Sequence, residues 1–371
     1  MTILITANTA WSIYNFRGGL IQNLIKNGER IVILAPQDEF SKKLEQLGCE
    51  IIHLQMDNKG TNPIRDLALV LTCWRVYRKI KPDIVLHYTI KNVIYGSLAA
   101  QMLQLPVINM ITGLGTAFNN DNWLTRVVET LYKISQRKVK RVFFLNKEDM
   151  EIFTHRRLIP EGIGERLPGE GVNLSHFSPA DFPQDPPHFL LIARMLSDKG
   201  VGEFVTAAGI VREKYPQAKF QLLGPVGVAN PNAIPLQQIK QWQAQGMVEY
   251  LGETSDVRPF IKQAQCIVLP SYYREGVPRS LMEAGAMARP IITTNNQGCR
   301  DVVDDELTGY LCRPRDAKDL ADKIIRFCAL TPEYRKTMGA NSRKKMMMEF
   351  DEKIVIDRYI EVIHQHRQKP V

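Results

Sequence analysis

No stretch of this 371-residue chain comes near the roughly 20 uninterrupted apolar residues that a membrane-spanning helix needs. A protein in solution, or lying on a membrane without crossing it, is therefore expected. The opening residues Met1-Thr2-Ile3-Leu4-Ile5-Thr6-Ala7 are apolar but have no basic segment and are too short for a secretory signal. Cysteine is sparse: the six residues at 49, 73, 266, 299, 312 and 328 show no C-x-x-C or zinc-like spacing. Most sit in apolar runs, which fits buried thiols in a reducing cytosol. No Asp-x-Asp triplet occurs, so the paired carboxylates that can hold a divalent cation on a diphosphate are missing. Low-complexity tracts and short repeats are also absent.

What is present is an ordinary globular composition, 44% hydrophobic and 23% charged, in a chain long enough for two domains. The net charge of +9 is uneven, with 22 basic against 16 acidic residues in positions 1–178. Arg65 to Lys81 holds five bases and one acid, and Arg126 to Lys147 holds seven bases and one acid. A positive face calls for an anionic partner: nucleic acid, anionic lipid or phosphorylated small molecules. Nucleic acid is not expected, because neither an aromatic–basic RNA motif nor a helix-turn-helix pattern accompanies the charge.

Residues 1–145 alternate short apolar runs with helical patterns. Strands are expected at Thr2–Ala7, Arg30–Ala35, Glu50–Leu54, Ile84–His87, Val107–Ile111 and Arg141–Leu145. Helices are expected around Gly19–Asn27, Ile64–Ile80 and Trp123–Lys138. Strands joined by crossover helices imply a parallel, doubly wound α/β sheet. Residues 177–187 contain four prolines and read as a connection. The alternation resumes at Phe189–Ala193, Phe220–Leu223, Val248–Leu251, Cys266–Leu269, Pro290–Thr293 and Gly309–Cys312, and Glu352–His366 is a last amphipathic helix. The division is placed at 1–178, 179–350 and 351–371.

Three stretches carry chemistry. Ser271-Tyr272-Tyr273-Arg274-Glu275-Gly276-Val277-Pro278-Arg279-Ser280-Leu281-Met282-Glu283-Ala284 runs from a strand through a Gly/Pro turn into a helix, the position where open α/β sheets hold ligands. Ser280-Leu281-Met282-Glu283 also has the form of a capping box, which would explain Glu283 without any ligand. Arg194 and Lys199-Gly200 bracket a loop between a strand and a helix entrance, an arrangement suited to a diphosphate. In the first half, Asn15-Phe16-Arg17-Gly18-Gly19 follows the first strand, Gly113-Leu114-Gly115 follows the fifth, and His87 and Lys91 follow the fourth. Asn15 and Arg17 are read at a helix entrance, with Arg17 free for a phosphate.

Arg194 with Lys199-Gly200, then Tyr250-Leu251-Gly252, then Glu275-x7-Glu283-Ala284 resemble the retaining glycosyltransferase family 4 of GT-B fold. Asn15-Phe16-Arg17, Pro36-Gln37-Asp38-Glu39 and Gly113-Leu114-Gly115 resemble the bacterial branch that extends sugars on undecaprenyl diphosphate, including N-acetylgalactosaminyltransferases. The resemblance implies two Rossmann-like domains facing a cleft, with the C-terminal helix crossing back to the first. It implies that Arg194 and Lys199 neutralise the leaving nucleotide diphosphate and that Glu275 lies beside the transferred sugar. Glu283 would hold the ribose, the backbone of Gly276 and Val277 the phosphates, and Leu251 would face the base. Asn15, Arg17, Lys91, Gly113 and Gly115 fall on the acceptor side.

The implied reaction moves a sugar, foremost GalNAc from a UDP donor with an α-linkage, onto a polyprenyl-diphosphate-linked sugar, with no metal and no cofactor. The implied place is the cytoplasmic face of the cell membrane, in peripheral contact with anionic lipid. A UDP-sugar 2-epimerase of the same fold is the alternative, and a nucleic-acid-binding protein a more distant one. Arg126, Lys133, Arg137 and Arg141 are read as one cationic helix face, opposite a stripe of Leu124, Val127, Val128, Leu131 and Ile134.

Overall fold

Apolar runs such as Ile3-Leu4-Ile5, Ile31-Val32-Ile33-Leu34 and Ile84-Val85-Leu86 have no polar face, as befits strands covered on both sides. The computed structural model describes residues 1–56, 62–113, 123–184, 186–274 and 276–366, and it builds two compact α/β units. The first unit comprises Met1–Glu170 and Lys353–Val371, and the second Gly171–Glu352.

In the first unit the order is β1 (Thr2–Thr6), α1 (Ala10–Lys26), β2 (Arg30–Ala35), α2 (Ser41–Gln46), β3 (Glu50–His53), α3 (Pro63–Ile80) and β4 (Ile84–Tyr88). Then come α4 (Ser97–Met102), β5 (Val107–Ile111), α5 (Trp123–Ser135), β6 (Arg141–Phe144), α6 (Lys147–His155) and β7 (Gly164–Arg166). The strands form one parallel sheet in the order β3-β2-β1-β4-β5-β6-β7. Alternation along each strand splits the core in two. Ile3, Ile5, Ile31, Ile33 and Leu86 pack under α1, while Leu4, Val32, Leu34 and Val85 pack with Leu69, Cys73 and Tyr77 of α3 and Tyr132 of α5.

The second unit runs β8 (His188–Ile192), α7 (Val201–Lys214), β9 (Lys219–Leu223), α8 (Leu236–Ala244), β10 (Glu249–Tyr250), α9 (Arg258–Gln263), β11 (Cys266–Leu269) and α10 (Arg279–Ala286). It continues through β12 (Ile291–Thr294), β13 (Gly309–Cys312), α11 (Ala317–Cys328) and α12 (Pro332–Glu349). Its sheet is also parallel, in the order β10-β9-β8-β11-β12-β13. In each sheet the chain winds out one way and then the other, so the reversals fall between β1 and β4 and between β8 and β11. The last helix, α13 (Glu352–His366), packs Val355, Ile356, Tyr359, Val362 and Ile363 into the core of the first unit.

Two expectations need correction. The change of unit at Glu170–Gly171 precedes the proline-rich link at which the sequence placed it. Residues 172–177 are tied to the second unit by the Val172 N–H on the Phe350 carbonyl (2.8 Å) and by Arg343, which donates to the carbonyls of Phe177 (2.9 Å) and Leu174 (3.2 Å). The helix expected from Gly19 begins at Ala10, because the Thr9 hydroxyl accepts the Ser12 N–H and caps it there. Asn15 to Gly19 therefore lie inside α1 and not at its entrance. All six cysteines are buried and none is joined in a disulfide, and burial pushes the thiols of Cys49, Cys73 and Cys312 up to about 12. Among the described residues no helix is long and apolar enough to cross a membrane.

Candidate functional site

The carboxyl ends of β8 and β11 adjoin at the reversal of the second sheet, where open α/β sheets leave a crevice. Arg194 follows β8 by two residues and is exposed; its guanidinium meets no partner among the described residues. Five residues on, a single 3-10 turn over Ser197–Lys199 brings Lys199 to the start of α7, with its ammonium 5.4 Å from the centre of the Tyr273 ring. The third strand on in sequence, β11, delivers the second arm.

Asp198, a residue the motif reading passed over, joins the two arms. Its carbonyl accepts from the N–H groups of Tyr272 (3.0 Å) and Tyr273 (3.1 Å) and from the Ser271 hydroxyl (3.2 Å). Its buried carboxylate accepts from the Asn232 side chain at 3.0 Å. Asn296 donates to the Tyr273 carbonyl at 2.7 Å and fixes the far side of the same segment. The signal available in the sequence was an Asp directly ahead of Lys-Gly in a strand-to-helix loop, which could have suggested a backbone anchor. Glycine makes the close packing possible: a Cβ on Gly224 would stand 2.0 Å from the Ala193 carbonyl oxygen, so only glycine lets the loop after β9 lie against the loop after β8.

Glu283 lies one turn into α10 and is buried. The N-cap of α10 is Pro278, without a side-chain cap, and Ser280 is already helical. The capping box read from Ser280 and Glu283 is therefore not formed. Arg279, one turn earlier, donates from Nε to Glu283 Oε1 at 2.8 Å, a pairing its i,i+4 spacing could have revealed. Burial holds the Glu283 carboxyl above the usual carboxylate range, outweighing the downward pull of Arg279. Val277 is buried and Gly276 half-buried just before this helix, while Leu251 commits its N–H to the Leu222 carbonyl at 2.9 Å. Glu275 lies outside the described residues, as does Gly115.

The direction of the Glu283 shift gives a separable test. A carboxyl whose pKa is raised by folding loses stability for the fold as pH climbs from below the ordinary carboxylate value through the raised one. At neutral pH the ionised group is thus a stability cost, and Glu283→Gln should melt no lower than the wild type at pH 7. If the carboxylate grips ribose hydroxyls, the same variant should lose about 1.5–3 kcal/mol of donor affinity. Isothermal titration with the donor and a melting curve read the two effects separately. Normal donor binding by the folded variant would remove the ribose role.

In the first unit Asn15, Arg17 and Lys91, expected on the acceptor side, are each engaged by neighbours within the unit. Arg17 is only 4% exposed: its guanidinium pairs with Glu170, lies 4.2 Å over the Tyr88 ring and points Nη2 at the Met110 sulfur. It is neither solvated nor free for a phosphate, because the turn of α1 that carries it faces the core. Asn15, half-buried, donates to the Trp11 carbonyl within α1 at 2.9 Å. Gly113 follows β5 with a φ of 141°. Lys91, beyond β4, pairs with Asp66 at 2.8 Å, and the Tyr95 hydroxyl donates to the other oxygen of Asp66 at 2.8 Å. His87 is fully buried between the Tyr77 hydroxyl (3.0 Å) and Asn109 (2.9 Å), and burial pushes it down to about 4. It is a neutral core histidine.

The α5 face also differs from expectation. Val127 and Ile134 stand exposed beside Arg126 and Lys133, Trp123 is 76% exposed, and Thr125, Tyr132 and Ser135 are buried in their place. Arg137 and Arg141 are not on this helix: Arg137 lies in the turn after its end at Ser135, and Arg141 lies in β6, 3.5 Å from Glu165.

Residues 175–345 match the model for glycosyl transferases group 1, and residues 2–146 match the glycosyl transferase 4-like model. The chain is 28% identical over 380 residues, covering 98% of both sequences, to the N,N'-diacetylbacillosaminyl-diphospho-undecaprenol alpha-1,3-N-acetylgalactosaminyltransferase of Campylobacter jejuni. It is 24% identical over 302 residues (78% of this chain and 76% of the other) to an Escherichia coli UDP-Gal:alpha-D-GlcNAc-diphosphoundecaprenol alpha-1,3-galactosyltransferase. Among solved structures, the Anabaena HepE protein in complex with UDP superposes with a TM-score of 0.79 at 17% identity, over 98% of this chain and 100% of that one. The fold is GT-B.

Proposed function

Since this chain belongs to the group 1 and 4-like glycosyl transferases, we propose that it moves a sugar from a nucleotide diphosphate onto a sugar already linked to a polyprenyl diphosphate. The observation that carries this reading is the exposed Arg194, without a partner among the described residues, five residues ahead of Lys199 at the β8–β11 reversal, with buried Glu283 on the adjoining arm. Fixed cations at that place favour the transition state, in which charge grows on the departing diphosphate. They also do the work a divalent cation would do, so the proposed transfer needs no metal.

Retention of configuration is proposed to follow from substitution on one face. The bond from the anomeric carbon to the diphosphate oxygen breaks as the acceptor oxygen bonds to the same carbon. The acceptor's hydroxyl proton passes to the leaving diphosphate. A glycosyl-enzyme adduct trapped on any carboxylate would sink this route. The Campylobacter relative, similar along the whole chain, supports GalNAc as the transferred sugar and an α-linked product, and the Escherichia coli relative supports a UDP-linked donor; surface glycan assembly is the proposed setting.

A lipid-linked acceptor places the enzyme on the cytoplasmic side of the membrane. The exposed α5 face, with Trp123, Val127 and Ile134 among Arg126 and Lys133 and with exposed Arg137 in the turn that follows, suits an anionic surface. One experiment tests the whole reading. The protein is incubated with UDP- and GDP-sugars and a short-chain polyprenyl-diphosphate sugar, with and without EDTA and anionic vesicles, and products are read by mass. The expected result is one added N-acetylhexosamine, unaffected by EDTA and faster on anionic vesicles. No transfer from any donor would end the enzyme reading, and loss with EDTA restored by Mn²⁺ would end metal independence. Vesicles without effect would end the membrane contact.

A further inference from the structure

The first unit contains a cavity of about 780 Å³. It lies where His53, Gln55 and Met56 leave β3, against the first turns of α3, with Lys91 at its inner end. The size falls in the range of ligand pockets, roughly 300–1,000 Å³. Its lining is divided. Arg65 and Lys91 supply cations, Met56, Ala68 and Leu69 supply an apolar wall, and the Thr72 hydroxyl donates to the Ala68 carbonyl at 2.8 Å. Asp66, the acid in the lining, is occupied by Lys91 and by the Tyr95 hydroxyl, so it presents no free carboxylate to an anion. A lysine ammonium has three donors, and the ion pair uses one of them.

The outer surface of α3 adds a second feature. Ile64, Leu67 and Leu71 are 78%, 61% and 42% exposed. Their spacing of three and four residues sets them in one stripe along the helix. Ala68 stands between this stripe and the pocket wall formed by Arg65, Leu69 and Thr72. Beyond Leu71 the same stripe continues into exposed Arg75 and Arg78. An exposed apolar row of this kind, ending in bases and opening sideways into a cavity that carries Arg65 and Lys91, is matched to an amphiphile with an anionic head.

We propose that this cavity seats the diphosphate and first isoprene units of a polyprenyl-diphosphate acceptor, with the rest of the prenyl chain leaving along Ile64, Leu67 and Leu71. The proposal rests on the transfer reading for the identity of the lipid, but not for its test. Farnesyl diphosphate, inorganic diphosphate and farnesol are titrated into the full-length protein, wild type and Thr72→Trp. Thr72 is half-buried on the cavity wall, and an indole there fills the space without touching the sheet core.

Farnesyl diphosphate should bind the wild type at least about tenfold more tightly than either half-ligand, and at least about tenfold more tightly than it binds Thr72→Trp. UDP binding and the melting temperature of the variant should stay at wild-type values. If Thr72→Trp melts low, Ala68→Phe replaces it, since Ala68 is exposed on the same wall. Inorganic diphosphate binding as well as farnesyl diphosphate overturns the prenyl part. Equal farnesyl diphosphate affinity in a folded, cavity-filled variant overturns the site. In the transfer assay the KM for the lipid acceptor should rise about tenfold in the variant while the KM for the donor holds. A wild type that binds farnesyl diphosphate but transfers to no lipid acceptor removes the transfer reading and leaves the binding site standing.

Discussion

Arg194→Ala is expected to lower kcat by about 10²–10³-fold, the effect of removing one fixed donor from a site where charge develops, or about 2.7–4 kcal/mol of transition-state stabilisation. The reason lies in what Arg194 does not touch. It is exposed, follows β8 at the sheet reversal and holds no internal ion pair among the described residues. A surface arginine without a partner adds little to stability, so the variant should melt within about 0.5 kcal/mol of the wild type. The predicted signature is therefore a large fall in turnover with an unchanged fold.

Lysine should rescue this variant only in part. A guanidinium offers a rigid fork that can hold two phosphate oxygens at once, whereas an ammonium acts as a point charge. Steady-state kinetics of wild type, Arg194→Ala and Arg194→Lys, with melting curves beside them, read the ordering. Unchanged kcat in Arg194→Ala would remove the arginine from the reaction and with it the observation on which the proposed function stands. Lys199→Ala is a less clean probe, since the ammonium also lies over the Tyr273 ring and its loss would loosen that segment.

The strands were readable because parallel sheets buried on both faces leave near-continuous apolar runs, and each expected strand appears within a residue or two of its place. The start of α1 was not readable. Gly18-Gly19 looks like a loop, yet both glycines lie mid-helix, where burial of Ile13, Leu20, Ile21 and Leu24 outweighs their poor helix propensity. Arg17 was misplaced for the same reason: its partner Glu170 is distant in sequence, and no local pattern announces such a pair. In the second unit the spacing placed Arg194 and Lys199 in the loop between β8 and α7, but not the connection to the segment after β11. Asp198 works through its backbone carbonyl, and a carbonyl has no sequence signature. Glu283 shows the converse case, where a local pattern suggested a cap that Pro278 pre-empts. The exposed apolar stripe of α3 has ordinary helical periodicity, and only the burial of Leu69, Val70 and Cys73 shows which of its apolar residues are left outside.

Gly200→Ala should be strongly destabilising, although it adds a single methyl. Gly200 sits between the 3-10 turn carrying Lys199 and the first turn of α7, with φ at 77°. A side chain in that left-handed conformation costs roughly 1–2 kcal/mol by itself. Here it would also meet backbone, since a Cβ would stand 2.1 Å from the Pro270 carbonyl oxygen. Pro270 precedes Ser271, the first residue of the arm that hangs on the Asp198 carbonyl, so neither chain can yield without breaking that joint. Adding about 1–3 kcal/mol for overpacking brings the expected loss to about 2–5 kcal/mol. For a unit of this size that is a melting temperature lower by roughly 4–20 °C. Turnover should fall as well, because relief of the clash separates the Lys199 turn from the segment leading to Glu283. Gly202, two residues further into α7, supplies the control: a Cβ there meets nothing within 4 Å. Gly202→Ala should stabilise by about 0.5–1 kcal/mol through helix propensity alone, with turnover unchanged. Calorimetry on the two single variants reads the contrast directly, and equal melting temperatures for Gly200→Ala and the wild type would show that the two arms are not held by this contact.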